Sequence, residues 1–158
     1  MRKTIIGTGL ATLAAAVAGG AVSRDGVENW YSTIRKPSFV PPDVVFPIAW
    51  TALYTDIAAT SAAVITRFRD DGDNAKARAY IGALGANLVL NASFSWVFFN
   101  RHKIGQGAIV AGLLAASSAD LVRRAADADP KLGAVLAPYP LWCSFATVMS
   151  AEIWRLNR

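Results

Sequence analysis

The chain has 158 residues, of which 54% are hydrophobic and 17% charged, and it carries a formal net charge of +5. A soluble domain usually has roughly a quarter charged residues, so this composition argues against a protein that folds in water. Lysine and arginine stand at the ends of long apolar blocks rather than on one stripe, which disfavours nucleic-acid binding and favours contact with membrane lipid headgroups.

The first apolar block, residues 1–23, begins with basic residues and ends with small ones. We expect it to form a first transmembrane helix from about Ile5 to Val22. A cleavable secretory signal has the same layout and is the alternative interpretation.

The next segment, residues 24–45, is predicted to be an ordered loop that acts as a lid. Proline fixes φ and has no N–H to donate, so its Pro-rich sequence favours one stiff, extended path. Pro47 suits the first turn of the helix that follows. The predicted lid residues are Trp30, Pro37, Phe39, Pro41 and Pro42.

Four further apolar blocks predict helices at about 46–66, 77–99, 104–122 and 132–154. Each has about the 20 residues needed to cross roughly 30 Å of hydrocarbon. The expected fold is therefore all-α, with residues 1–158 forming one integral, multi-pass membrane bundle of five transmembrane helices. Lysine and arginine number nine on the N-terminal side and seven on the other, which leaves the orientation open.

Aromatic and amide side chains in the second and third helices indicate a pocket within the bundle. Trp50 and Tyr54 are four residues apart and share a helical face. Asn87 and Asn91 are also four apart, and a buried amide without a partner is costly. Both should point inward, either to hydrogen-bond another helix or to orient a polar ligand group.

The fifth helix carries Tyr139, Trp142 and Ala146 along one stripe. Such a stripe can be ordinary packing. However, the small Ala146 follows Trp142 by one helical turn and leaves room beside the indole ring.

Three acidic residues lie within or near the predicted spans. Asp120 and Glu152 each precede an arginine, Arg123 and Arg155, by three residues and can form ion pairs with it. Asp56 has no charged partner near it in sequence. Since no second acid or histidine lies beside it, a proton relay is disfavoured.

No metal site or covalent chemistry is predicted. Cys143 is the only cysteine, which excludes an intrachain disulfide and a thiolate metal cluster. His102, the only histidine, lies between Arg101 and Lys103 and is typical of an interfacial residue. The chain contains no recognisable nucleophile with its base and no phosphate-binding loop.

Three stretches of the sequence resemble the TspO/MBR family, also known as translocator proteins, peripheral-type benzodiazepine receptors or tryptophan-rich sensory proteins. They are WYSTIRKPSFVPPDVVFPIAW, NASFSWVFF and PYPLWCSFATVMSAEIWRLN, and they occur in the family's order over about half of the chain. The resemblance implies a five-helix bundle, usually a homodimer. Its pocket under the first loop would bind protoporphyrin IX, haem, sterols or benzodiazepine-type ligands.

Matched by position, the family pocket would include Trp50, Asn87, Asn91, Trp142 and Ala146. In the family, the tryptophans matching Trp50 and Trp142 are associated with light-dependent porphyrin degradation, so catalytic roles for them depend on whether turnover occurs. Porphyrin or haem would be a ligand rather than a required cofactor, and basic residues near the mouth would meet its propionates.

Sterol recognition is expected to be weak. Family members with strong sterol binding carry a tyrosine shortly before a basic residue at the end of the fifth helix. Here Ala151 and Glu152 precede Trp154 and Arg155. A further alternative is an interaction protein whose pocket holds only membrane lipid, without turnover.

Overall fold

The computed structural model describes all 158 residues, and its regular structure is entirely helical. Its helices are α1 (Arg2–Asp25), α2 (Val45–Asp70), α3 (Asn74–Ser95), α4 (Ile104–Ala128), α5 (Pro130–Leu136) and α6 (Pro138–Asn157). α1 and α3 each continue into a π-helical turn, Gly26–Tyr31 and Trp96–Asn100 respectively. Five continuous helical segments are long and apolar enough to cross a membrane, with α5 and α6 together forming the fifth. The predicted all-α, five-helix architecture is confirmed.

The first helix is longer than predicted. It continues to Tyr31 rather than ending at Val22, so the loop covers residues 32–44 instead of 24–45. Trp30 therefore lies in a helical turn and not in the loop. Its ring stacks on His102 with centroids 4.4 Å apart and packs edge-on against Phe98 at 5.8 Å. These contacts stabilise the helical turn Gly26–Tyr31, for which no local sequence pattern predicts a helix.

The other four segments begin within three residues of the predicted positions and extend up to six residues further at their C-terminal ends. The predicted ends lay just before the charged or polar residues that follow each apolar block. The helices continue because charged side chains can extend from the membrane surface into water while the backbone remains hydrogen-bonded.

The two π-helical turns lie against each other. A Cβ atom on Gly26 would collide with the carbonyl group of Phe99, so only glycine permits this close approach. Tyr31 packs edge-on against Phe99 with ring centroids 5.6 Å apart. The end of α1 is thereby fixed against the end of α3, directly below the loop.

The bundle has two buried apolar clusters. α4 packs on α3 and α6, while α1 packs on α2 and α3. The larger cluster includes Ile57, Leu121 and Leu136 and fills the half of the bundle away from the loop. The smaller one lies under the loop and consists of Tyr31, Phe98, Met149 and Ile153.

Two of the three acids in or near the predicted spans form the predicted ion pairs. Asp120 lies 2.8 Å from Arg123 Nη2, and Glu152 lies 2.8 Å from Arg155 Nη2. Asp56 has no ion pair. Its carboxylate instead accepts a hydrogen bond from the Thr60 hydroxyl one helical turn later, at 2.6 Å.

Backbone hydrogen bonds fix the turns of the loop, and one side chain of α6 attaches the loop to the bundle. The Val40 N–H donates to the Pro37 carbonyl at 3.2 Å, and the Val45 N–H donates to the Pro42 carbonyl at 2.9 Å. The Asn157 side chain at the end of α6 accepts from the Arg35 N–H at 3.0 Å and donates to the Arg35 carbonyl at 2.8 Å. One amide thus satisfies both backbone groups of a loop residue and ties the loop to the last helix.

Candidate ligand-binding cavity

A cavity of about 410 Å³ lies between the helices beneath the first loop. Its walls come from α1, α2, α3 and α6 together with both π-helical turns, and Asp43 is the residue that the loop contributes. Most lining residues are apolar or aromatic, and the volume lies in the range of small-molecule binding sites.

Aromatic rings form one wall of the cavity. Trp50 stacks on Tyr54 with ring centroids 5.4 Å apart. Trp50 and Trp142 meet edge to face, with centroids 6.4 Å apart and planes at 89°. Phe46 packs edge-on against Trp142 at 6.0 Å. An indole from the second helix and one from the last helix are thus in direct contact on one wall of the cavity.

Small residues form the part of the wall that α1 contributes. α1 presents Ala16, Gly19, Gly20 and Ser23 to the cavity. A Cβ atom on Gly19 would lie 3.2 Å from Ser95 Oγ, so α1 and α3 approach each other closely here. Because these residues carry little side-chain volume, the space in front of the aromatic wall stays open.

A chain of hydrogen bonds supports the floor of the cavity. The Tyr54 hydroxyl donates to Asn91 Oδ1 at 2.6 Å, and Asn91 Nδ2 donates to the Tyr139 hydroxyl at 3.3 Å. The Tyr139 hydroxyl donates to Asn87 Oδ1 at 2.7 Å, and Asn87 Nδ2 donates to Ser117 Oγ at 3.2 Å. Both asparagines point inward as predicted and hydrogen-bond to other helices. The chain joins α2, α3, α6 and α4, and it fixes the orientation of Tyr54 and Asn91 at the cavity wall.

The structure brings most of the predicted ligand-binding residues together. Those that line the cavity are Trp50, Tyr54, Asn91, Trp142 and Ala146. Asn87 and Tyr139 are fully buried one layer behind the wall and connect to it only through the hydrogen-bond chain. Direct contact of these two residues with a ligand stays a prediction.

The predicted lid residues lie outside the cavity wall, and none of Trp30, Pro37, Phe39, Pro41 and Pro42 lines it. Phe39 packs edge-on against Phe145, which does line the cavity, with ring centroids 6.2 Å apart. Trp30 likewise packs against a lining residue, Phe98. These two aromatics form an outer layer that supports the wall.

The cavity has few polar groups, and two of them have no partner. The Tyr31 hydroxyl and the Trp142 Nε1–H are buried without a hydrogen bond. Asp43 is the only charged residue of the lining. No arginine or lysine is part of the wall, but the ammonium group of Lys36 lies 4.3 Å from the centre of the ring of Tyr31, a lining residue. A contact between a basic residue near the mouth and a ligand propionate stays a prediction.

Sequence reasoning missed several lining residues. Besides the small residues of α1, they include Tyr31, Phe94, Phe98, Phe145 and Met149. A spacing signal existed, because Phe94 and Phe98 are four residues apart, and Phe145 and Met149 repeat that spacing directly after Trp142. The spacing of three and four between Ala16, Gly19 and Ser23 was a comparable signal in α1.

Comparison with known proteins relates the chain to one family. The family model described as TspO/MBR family matches residues 8–155. Protein CrtK of Rhodobacter capsulatus is 29% identical over 157 residues, which cover 99% of this chain and 95% of that protein. The tryptophan-rich sensory protein of Cereibacter sphaeroides is 29% identical over 82% of this chain and 78% of its own length. The human translocator protein is 27% identical over 82% of this chain and 75% of its own length.

Proposed function

The chain belongs to the TspO/MBR family and is a multi-pass integral membrane protein, and we propose that it is a receptor or transporter that binds porphyrins in the cavity under its first loop. Protoporphyrin IX and haem are the proposed ligands. The observation that supports the proposal best is the edge-to-face pair of Trp50 and Trp142 in the wall of a 410 Å³ apolar cavity.

The chemistry of the wall suits a flat aromatic ligand. A macrocycle can stack on one indole while its edge meets the other, and each aromatic contact contributes roughly 0.5–1.5 kcal/mol beyond the burial of area. The unpaired Nε1–H of Trp142 can donate to an acceptor of the ligand. The small residues of α1 leave the space in which the ring would lie.

A porphyrin titration in detergent tests the proposal. The Soret absorbance band gives the dissociation constant without depending on the number of tryptophans in the protein. Trp50→Phe combined with Trp142→Phe is expected to weaken protoporphyrin IX binding by about fivefold, because the smaller ring loses roughly half of each of two contacts of about 1 kcal/mol.

A matched control is Trp96→Phe combined with Trp154→Phe. Both of these tryptophans are nearly half exposed, at 47% and 45%, and neither lines the cavity. The control should bind porphyrin like the unmodified protein. Equal affinities for the two double variants would remove the indole pair from the binding site and overturn the proposal.

Light-dependent porphyrin degradation is a second candidate function, favoured by the same two indoles. A photoexcited porphyrin can oxidise an indole that it contacts. If turnover occurs, illuminated protoporphyrin IX should lose its absorbance faster with the protein than with the double variant of Trp50 and Trp142. Equal rates would leave binding as the function.

Sterols and benzodiazepine-type ligands are further proposed occupants of the same cavity, and a homodimer is the proposed assembly. Gly82 and Ala86 support the dimer, because they are exposed one turn apart on α3 and small residues let helices approach closely. If native mass spectrometry in excess porphyrin shows protein that carries lipid and no protein that carries porphyrin, the lipid-binding alternative replaces the porphyrin proposal.

A further inference from the structure

A second groove of about 430 Å³ lies between α1, α2 and α3, at the end of the bundle opposite the loop. Thr8 lies in its floor, is only 6% exposed, and donates from its hydroxyl to the Ala58 carbonyl at 2.9 Å. Gly7 and Gly85 line the groove, and a Cβ atom on either would meet nothing within 4 Å. The groove is therefore open, and its remaining α3 wall is apolar, with Ile81, Leu84 and Leu88.

Two cations stand at one end of this apolar groove. Arg69 and Lys3 both line it, and Arg69 Nη1 donates to the Thr4 hydroxyl at 3.2 Å. Neither cation has a carboxylate within ion-pair distance, whereas Arg67 on the same helix pairs with Asp71 at 3.3 Å. The groove thus combines uncompensated positive charge at the membrane surface with an apolar channel that runs into the membrane.

We propose that this groove binds an anionic phospholipid. Its phosphate would lie against Lys3 and Arg69, and one acyl chain would follow the groove past Gly7 and Gly85. From Lys3 to Ala11, α1 rises about 12 Å, so the groove accommodates the upper part of an acyl chain. Basic groups between helices at the membrane surface attract anionic headgroups in preference to zwitterionic ones.

A second copy of the chain fits the groove less well. In a twofold-symmetric dimer formed through it, Lys3 and Arg69 of both copies would approach each other, and like charges repel. The exposed Gly82 and Ala86 lie beside the groove and not in it. A dimer formed through those residues would leave the groove available to lipid.

Native mass spectrometry tests the site. The protein is equilibrated with an equimolar mixture of phosphatidylglycerol and phosphatidylcholine that carry the same acyl chains, and the retained lipids are counted. The unmodified protein should retain phosphatidylglycerol preferentially. Lys3→Gln combined with Arg69→Gln should reduce that preference by about 30-fold, at roughly fivefold for each charge. The matched control, Arg67→Gln, removes a paired charge from the same helix end and should keep the preference.

A second variant addresses the apolar part of the groove. Gly85→Leu adds a side chain where nothing lies within 4 Å, so the protein should fold and retain less of both lipids. Soret titration of the same samples monitors the separate cavity under the loop, so a loss of lipid with porphyrin binding intact is specific to the groove. Equal retention of the two lipids by the unmodified protein would overturn the proposal. A lipid-free dimer in which a disulfide joins position 85 of two copies of the Gly85→Cys variant would also overturn the proposal.

Discussion

Asp43 is expected to weaken the binding of anionic ligands, because it is the only charged residue that lines the cavity. Protoporphyrin IX carries two propionates at neutral pH. The substitution Asp43→Asn removes the negative charge and keeps nearly the same shape. We therefore predict that Asp43→Asn binds protoporphyrin IX more tightly than the unmodified protein does.

The size of the effect follows from the dimensions of the cavity. A sphere of 410 Å³ has a diameter of roughly 9 Å, which sets the scale of the distance between Asp43 and a ligand carboxylate. At that distance two unit charges repel by about 0.5 kcal/mol in water and about 1 kcal/mol at an effective dielectric constant of about 40. Because Asp43 is exposed, solvent screening keeps the repulsion at about 0.5–1 kcal/mol. The expected gain in affinity is about twofold to fivefold.

The assay compares protoporphyrin IX with its dimethyl ester, which has the same macrocycle and no carboxylates. Asp43→Asn should tighten binding of the acid, more at low salt than at high salt, and leave binding of the ester unchanged. Glu28→Gln is the matched control, since Glu28 is exposed near the end of α1 and does not line the cavity. An equal change for acid and ester, or the same gain from Glu28→Gln, would refute the reasoning.

Two further predictions concern the supports of the cavity. Tyr139→Phe should lower the free energy of unfolding by about 1–3 kcal/mol, measured by thermal unfolding in detergent, because it leaves Asn87 Oδ1 buried without its donor. Tyr54→Phe should lower it less, because Tyr54 is less buried. An unchanged melting temperature for Tyr139→Phe would contradict the described network. Asn157→Ala should increase hydrogen exchange across residues 32–44 and leave exchange in α3 the same, because both backbone groups of Arg35 lose their partner. Asn29→Ala serves as an exposed control. Unchanged exchange in the loop would show that the other loop contacts hold it in place without Asn157.

Hydrophobic blocks were enough to predict the five crossings, and the resemblance to the family pointed to the two indoles. Each span follows from about 20 apolar residues between charged ones, and Trp50 and Trp142 stand at positions that the resemblance to the family marked. Four-residue spacing also placed Asn87 and Asn91 on an inward face. The spans and the asparagine pair depend on local periodicity, which the sequence carries directly.

The features that sequence reasoning missed depend on partners distant in the chain. The helix continues through Trp30 because His102, 72 positions later, stacks on its ring. Gly26 permits this path only because Phe99 lies against it. The burial of Tyr139 behind the wall, and not at its surface, depends on how α3 and α6 meet. No local pattern reveals such contacts.

The π-helical turn at the end of α1 sets which residues face the cavity. Successive lining positions Ser23, Val27 and Tyr31 are four residues apart and follow one face from α1 into the π-helical turn. Deleting one residue between Gly26 and Tyr31 would rotate the tyrosine away by about 100°. A single-residue gap at this place in an alignment of relatives therefore signals a different binding site rather than a shorter connection.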